Sequence, residues 1–210
     1  MDRNLIAILR GITPKDVCDV AEILIKLGIT TIEVPLNSPK ALNSLELMVK
    51  YFNHEIDFGA GTVLNSKQVE DVYNAGGKLV VSPNCNSEVI KETKKLNMLS
   101  FPGVFTPSEC FLALDSGADG LKFYPSFLIG PSGYNAIRAV LPSDVNSYAV
   151  GGVSSKNFLS WLKVGMTGFG VGTALYEPGD KLEEISEKAK TIITAFDLAM
   201  EQILEQEQVT

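Results

Sequence analysis

The chain has 210 residues, of which 45% are hydrophobic, and a net charge of −7 from 18 Lys and Arg against 25 Asp and Glu. That length and composition suit one soluble α/β domain with a substantial core. The acidic balance, with no basic cluster set against it, excludes nucleic acid and anionic membrane surfaces as expected partners.

An anionic ligand would therefore have to be held by local devices such as helix N-termini and single cations. Cys18, Cys85 and Cys110 are scattered without a CxxC spacing, the pattern of reduced thiols in a cytoplasmic protein rather than of a disulfide frame or zinc site. His54 is the single histidine and reads as a solvated loop residue, so no metal site and no Ser-His-Asp triad is expected. The apolar run Leu5–Leu9 is too short for a signal core or a membrane span.

In chain order, eight short apolar or β-branched runs read as strands: Leu5–Leu9, Thr31–Pro35, Ile56–Gly59, Lys78–Ser82, Leu99–Pro102, Gly120–Phe123, Ser147–Val150 and Gly168–Val171. Several are nearly continuous hydrophobic stretches, as strands covered on both faces should be. Helical stretches of roughly a dozen residues separate them, the signature of repeated βα units. Thr13-Pro14, Ser38-Pro39 and Thr106-Pro107 each place a hydroxyl before proline, as at a helix start, and Ser154 reads as the cap of the seventh helix. Thr106 with Glu109 and Asn65 with Gln68 resemble capping boxes, while Gly28 and Gly76-Gly77 suit helix ends. A last helix runs from Lys181 to about Gln206. Without linker or low-complexity segment, residues 1–210 read as a single (β/α)8 TIM barrel. A doubly wound open sheet is the alternative, since periodicity does not show closure.

Chemistry in a barrel sits where strands end. Lys122 lies among apolar residues of the sixth run, where an ammonium must be paired, exposed or neutral. A neutral amine there attacks carbonyls; a lysine that snorkels or pairs with a carboxylate is the plainer reading. Glu33, between Ile32 and Val34, is either a proton-transferring group or the ion-pair partner of a buried cation. Arg10 ends the first run and suits a carboxylate ligand, or a salt bridge at the rim. Gly151-Gly152 and Gly170-Val171-Gly172-Thr173 follow the seventh and eighth runs, where backbone N–H groups and a helix N-terminus form a phosphate site in many barrels, or are plain tight turns. Gly59-Ala60-Gly61-Thr62 is a bend with a hydroxyl suited to a carboxylate, or only a tight turn.

Five segments together resemble the KDPG/KDPGal aldolases, class I enzymes acting through a lysine imine. They are Ile8–Pro14, Glu33–Pro39, Gly59–Leu64, Leu121–Pro125 and Val150–Val153. The resemblance implies Lys122 as the Schiff-base lysine and Glu33 as the proton-transferring glutamate. It implies Arg10 and Thr62 at the pyruvate-like carboxylate, and Gly151, Gly152, Gly172 and Thr173 around the phosphate, with Thr173 standing where relatives often carry serine. It further implies no cofactor, a phosphorylated keto-deoxy sugar acid as ligand, and a homotrimer. The gluconate branch looks like Glu-Val-Thr-Leu-Arg and Thr-Gly-Gly where this chain has Glu33-Val34-Pro35-Leu36-Asn37 and Val150-Gly151-Gly152. The latter is similar to the galactonate branch, with Arg10 replacing in function the arginine missing at Asn37.

Overall fold

The computed structural model describes residues 3–52 and 56–208, so His54 lies outside the described residues. The elements alternate in chain order: β1 (Leu5–Ile8), α1 (Val17–Lys26), β2 (Thr31–Pro35), α2 (Ala41–Tyr51), β3 (Asp57–Gly61), α3 (Ser66–Asn74), β4 (Leu79–Val81), α4 (Ser87–Lys95) and β5 (Leu99–Phe101). There follow β6 (Gly103–Val104), α5 (Pro107–Asp115), β7 (Leu121–Phe123), α6 (Ser126–Arg138), β8 (Ser147–Val150), α7 (Phe158–Leu162), β9 (Gly168–Val171) and α8 (Leu182–Gln208).

Every strand pairing is parallel, in the order β5-β4-β3-β2-β1-β9-β8-β7-β6. β5 and β6 are two halves of one barrel position, separated only by Pro102. The first half pairs with β4 and the second with β7, so the ring closes as a (β/α)8 barrel and the open-sheet alternative falls. Pro102 has no N–H for the ladder, which accounts for the break; its carbonyl still accepts from Lys122 N–H at 2.9 Å.

Alternation along the strands makes two cores. Ala7, Ile32, Val34, Phe58, Ala60, Leu121, Phe123 and Phe169 face outward and pack under the helices. Phe169 meets Phe158 at 4.5 Å between ring centroids and Phe196 at 6.1 Å, tying β9 to α7 and α8. Inside the ring, Leu79, Val81 and Phe101 form a smaller cluster with Tyr148 packed on it. Glycines make room for it. A methyl group at Gly120 would stand 2.9 Å from Tyr148 and 3.0 Å from Phe101. Truncating Phe101 to alanine would cost about 3–5 kcal/mol.

Several helix starts lie later than the hydroxyl-proline pairs suggest. α1 begins at Val17, because residues 14–16 form a turn in which Thr13 Oγ1 donates to Asp16 Oδ2 at 2.6 Å. α2 begins at Ala41; Ser38 Oγ instead accepts the Gly11 N–H at 2.8 Å. α7 begins behind Asn157, and the Ser154 hydroxyl serves the preceding turn by accepting from Lys156 N–H at 3.4 Å. The Thr106–Glu109 capping box is present on α5. Asn65 accepts from Gln68 N–H at 2.9 Å, but Gln68 reaches back to Leu64 rather than to Asn65. Gly28 and Gly76 follow α1 and α3 at φ +89° and +83°, where an L side chain would be strained. Among the described residues no helix is long and apolar enough to cross a membrane.

Candidate active site

Glu33 and Lys122 each stand between two residues that face the helices, so each side chain points into the barrel. β2 and β7 are four barrel positions apart, which sets the carboxyl and the amine across the ring from each other. Both are buried, at 1% and 5% exposure.

Burial dominates both ionisations. It raises the Glu33 carboxyl from its ordinary 4.5 to about 7, against the opposing charges of Lys122 and Arg10 and a hydrogen bond from the Gly61 N–H. It lowers Lys122, against the attraction of Glu33 and with help from the Arg10 charge. Both groups are thus pushed toward their neutral forms, the state in which an amine is a nucleophile and a carboxyl can give a proton. Glu33 Oε2 is buried and has no hydrogen-bond partner among the described residues. Lys122 Nζ stands 4.9 Å from the centroid of the Tyr124 ring.

Arg10 follows β1 at the mouth of the ring. Its Nη1 donates to Asn37 Oδ1 at 2.6 Å and to Thr62 Oγ1 at 3.4 Å, which joins the loops after β1, β2 and β3. Thr62 adopts φ +56° to present its hydroxyl there. On the other side, Gly151 and Gly152 turn at φ +90° and +75°. Their carbonyls are held, the first by Ser126 Oγ at 2.6 Å and Phe127 N–H at 3.2 Å, the second by Asn157 Nδ2 at 2.8 Å. The N–H edge of such a turn is the face an anion would meet.

A cavity of about 210 Å³ lies between these loops, lined by Arg10, Tyr124, Gly151, Gly152, Gly172 and Thr173 among others. A second, of about 250 Å³, shares Arg10, Gly172 and Thr173 and extends to Glu177 and Pro178. One expectation is corrected: no helix N-terminus directly follows either glycine pair. α7 starts only at Phe158, and Gly172–Tyr176 is a turn in which Leu175 and Tyr176 N–H donate to Gly172 O at 2.8 and 3.0 Å.

Sequence reasoning missed three contributors. Gly61 is the seat of the Glu33 carboxyl: a methyl group there would overlap both carboxyl oxygens. Its place in a Gly-Ala-Gly bend was the available signal. Tyr124 under Lys122 carried no signal beyond adjacency. The contact between Asn37 and Arg10 needed the tertiary structure.

A family model for KDPG and KHG aldolases matches residues 2–190. The chain belongs to this family. It is 46% identical over 197 residues to the "Probable 2-dehydro-3-deoxy-6-phosphogalactonate aldolase" of Rhizobium meliloti (strain 1021), covering 94% of this chain and 93% of that one. It is 40% identical over 197 residues to the "2-dehydro-3-deoxy-6-phosphogalactonate aldolase" of Escherichia coli (strain K12), covering 94% and 96%. Among solved structures, "Native KDPGal structure" superposes with a TM-score of 0.94 at 39% identity, over 96% of this chain and 98% of that one. The family places the chain among the aldolases, enzymes that break carbon–carbon bonds.

Proposed function

We propose that the chain cleaves 2-dehydro-3-deoxy-6-phosphogalactonate to pyruvate and glyceraldehyde 3-phosphate through an imine on Lys122. The observation that carries the reading is the buried Lys122 amine facing the buried Glu33 carboxyl, both pushed toward neutrality. The sugar follows the two relatives above, whose names give the galactonate; the gluconate epimer, alone or alongside it, is the alternative, since one side chain can tip so small a difference.

In this reading neutral Lys122 attacks the C2 ketone, and Glu33 supplies the proton with which water leaves to give the iminium. Glu33, now a carboxylate, takes the C4 hydroxyl proton as the C3–C4 bond breaks, its electrons entering the iminium to form an enamine. Glyceraldehyde 3-phosphate departs, C3 is protonated with the help of Glu33, and hydrolysis returns pyruvate and the free amine. Arg10 and Thr62 hold the carboxylate end. Gly151, Gly152, Gly172 and Thr173 hold the phosphate. The chain would act as one domain, in the cytoplasm, as a homotrimer.

Incubation with pyruvate and borohydride, followed by mass spectrometry, tests the reading. A stable adduct on Lys122, absent from Lys122→Met, supports it. No adduct together with full cleavage by Lys122→Met overturns it, and sugar-acid binding without pyruvate release would mark a sensor instead. Cleavage rates on the two epimers decide the sugar.

A further inference from the structure

Arg10 is held in an unusual way for an arginine of an acidic protein. Arg3 gives both Nε and Nη2 to Asp197, each at 2.7 Å, so its charge is neutralised within the fold. Arg10 meets only neutral acceptors among the described residues: the Asn37 amide oxygen at 2.6 Å and the Thr62 hydroxyl at 3.4 Å. Both contacts use Nη1, which leaves the Nε and Nη2 edge, the edge that pairs with a carboxylate in a fork. That edge belongs to a residue lining both cavities at the mouth of the ring.

The loop that carries Asn37 is itself fixed. Leu36 N–H donates to Gly61 O at 2.8 Å, Ser38 N–H donates to Pro35 O at 2.8 Å, and Ser38 Oγ accepts the Gly11 N–H at 2.8 Å. The last of these bonds ties the loop directly to the residue after Arg10. Asn37 therefore stands on a rigid support, close to the backbone of the arginine it holds.

We propose that Asn37 is a positioning residue for carboxylate recognition: its uncharged amide oxygen orients the Arg10 guanidinium without cancelling its charge, leaving the outer edge for the substrate's carboxylate. An aspartate of the same shape would keep the hydrogen bond and neutralise the cation. A leucine would keep the charge and release the orientation. This inference rests on the imine reading of Lys122.

The test compares two ketones that differ in the carboxylate, pyruvate and acetone, each trapped on Lys122 by borohydride in wild type, Asn37→Asp and Asn37→Leu. Asn37→Asp should raise the half-saturating pyruvate concentration about tenfold or more, the loss expected when a charge-assisted pair is neutralised. Asn37→Leu should raise it a few-fold. Trapping of acetone should stay at the wild-type level in Asn37→Leu and fall clearly less than that of pyruvate in Asn37→Asp, where cancelling the Arg10 charge also lets Lys122 hold its proton more tightly, a split that general damage to the site would not give. Wild-type half-saturation by pyruvate in Asn37→Asp, or a parallel loss with both ketones, overturns the role of Asn37. A wild-type chain that traps neither ketone overturns the imine reading itself.

Discussion

The carboxyl of Glu33 rests on the bare α-carbon of Gly61, so close that a methyl group there would overlap both of its oxygens. A glycine on β3 thus sets the position of the β2 carboxyl to which the proposed reaction assigns proton transfer. Gly61→Ala should leave the barrel folded while displacing the carboxyl by roughly 1 Å or more. Cleavage should fall roughly 100-fold, the usual cost of a 1 Å misplacement. Steady-state kinetics beside an unchanged circular dichroism spectrum check this; wild-type turnover would show that Glu33 tolerates the move.

Glu33 should also leave a mark on stability against pH. Its folded pKa of about 7 lies above the ordinary 4.5, so between those values the native chain holds a proton that the unfolded chain has lost. Its contribution is complete below 4.5 and is lost as pH rises through 7, about 3 kcal/mol in all. Unfolding in denaturant at pH 4.5 to 8 should show wild type weakening relative to Glu33→Gln over that window. Parallel curves would mean that the carboxyl titrates normally.

Lys122→Met should abolish turnover without weakening the fold. The lowered lysine pKa means that its contribution is lost as pH falls through the folded value, and at pH 6 Glu33 is protonated and needs no counter-charge. Removing the buried amine should raise Tm by roughly 2–4 °C, equivalent to about 1 kcal/mol in a chain of this size. A Tm several degrees lower would identify the lysine as a structural ion-pair partner.

Gly152→Ala separates the two ends of the substrate. At φ +75°, with a new methyl group 2.8 Å from the Phe127 β-carbon, the turn beside the cavity must shift. KM for the phosphorylated sugar acid should rise about tenfold or more, while pyruvate trapping on Lys122 stays unchanged. Equal loss of both would place the glycine pair in the general support of the site.

Much of this was legible in the residues. Thr31–Pro35, Ser147–Val150 and Gly168–Val171 stand where their apolar runs predict, because strands covered on both faces have no other composition. Lys122 and Glu33 stood out for the opposite reason, as charges in strands that should carry none. Closure of the ring was not legible, since it depends on Pro102 dividing one strand between two neighbours. The start of α2 was misplaced because the Ser38 hydroxyl serves Gly11, 27 residues away, a partner no local pattern reveals. The seat of Glu33 on Gly61 likewise depends on the register between two strands.

Glu33 and Lys122 lie inside hydrogen-bonded strands, whereas Arg10, Thr62, Gly151, Gly152, Gly172 and Thr173 all lie just beyond them. In the proposed reaction, bond-making then belongs to the strands and recognition to the segments that follow them. Loops around the rim can be exchanged to admit a different sugar acid while the amine and carboxyl keep their alignment. The same lyase could be retuned for a new aldehyde by editing the rim alone, leaving every stave of the barrel untouched.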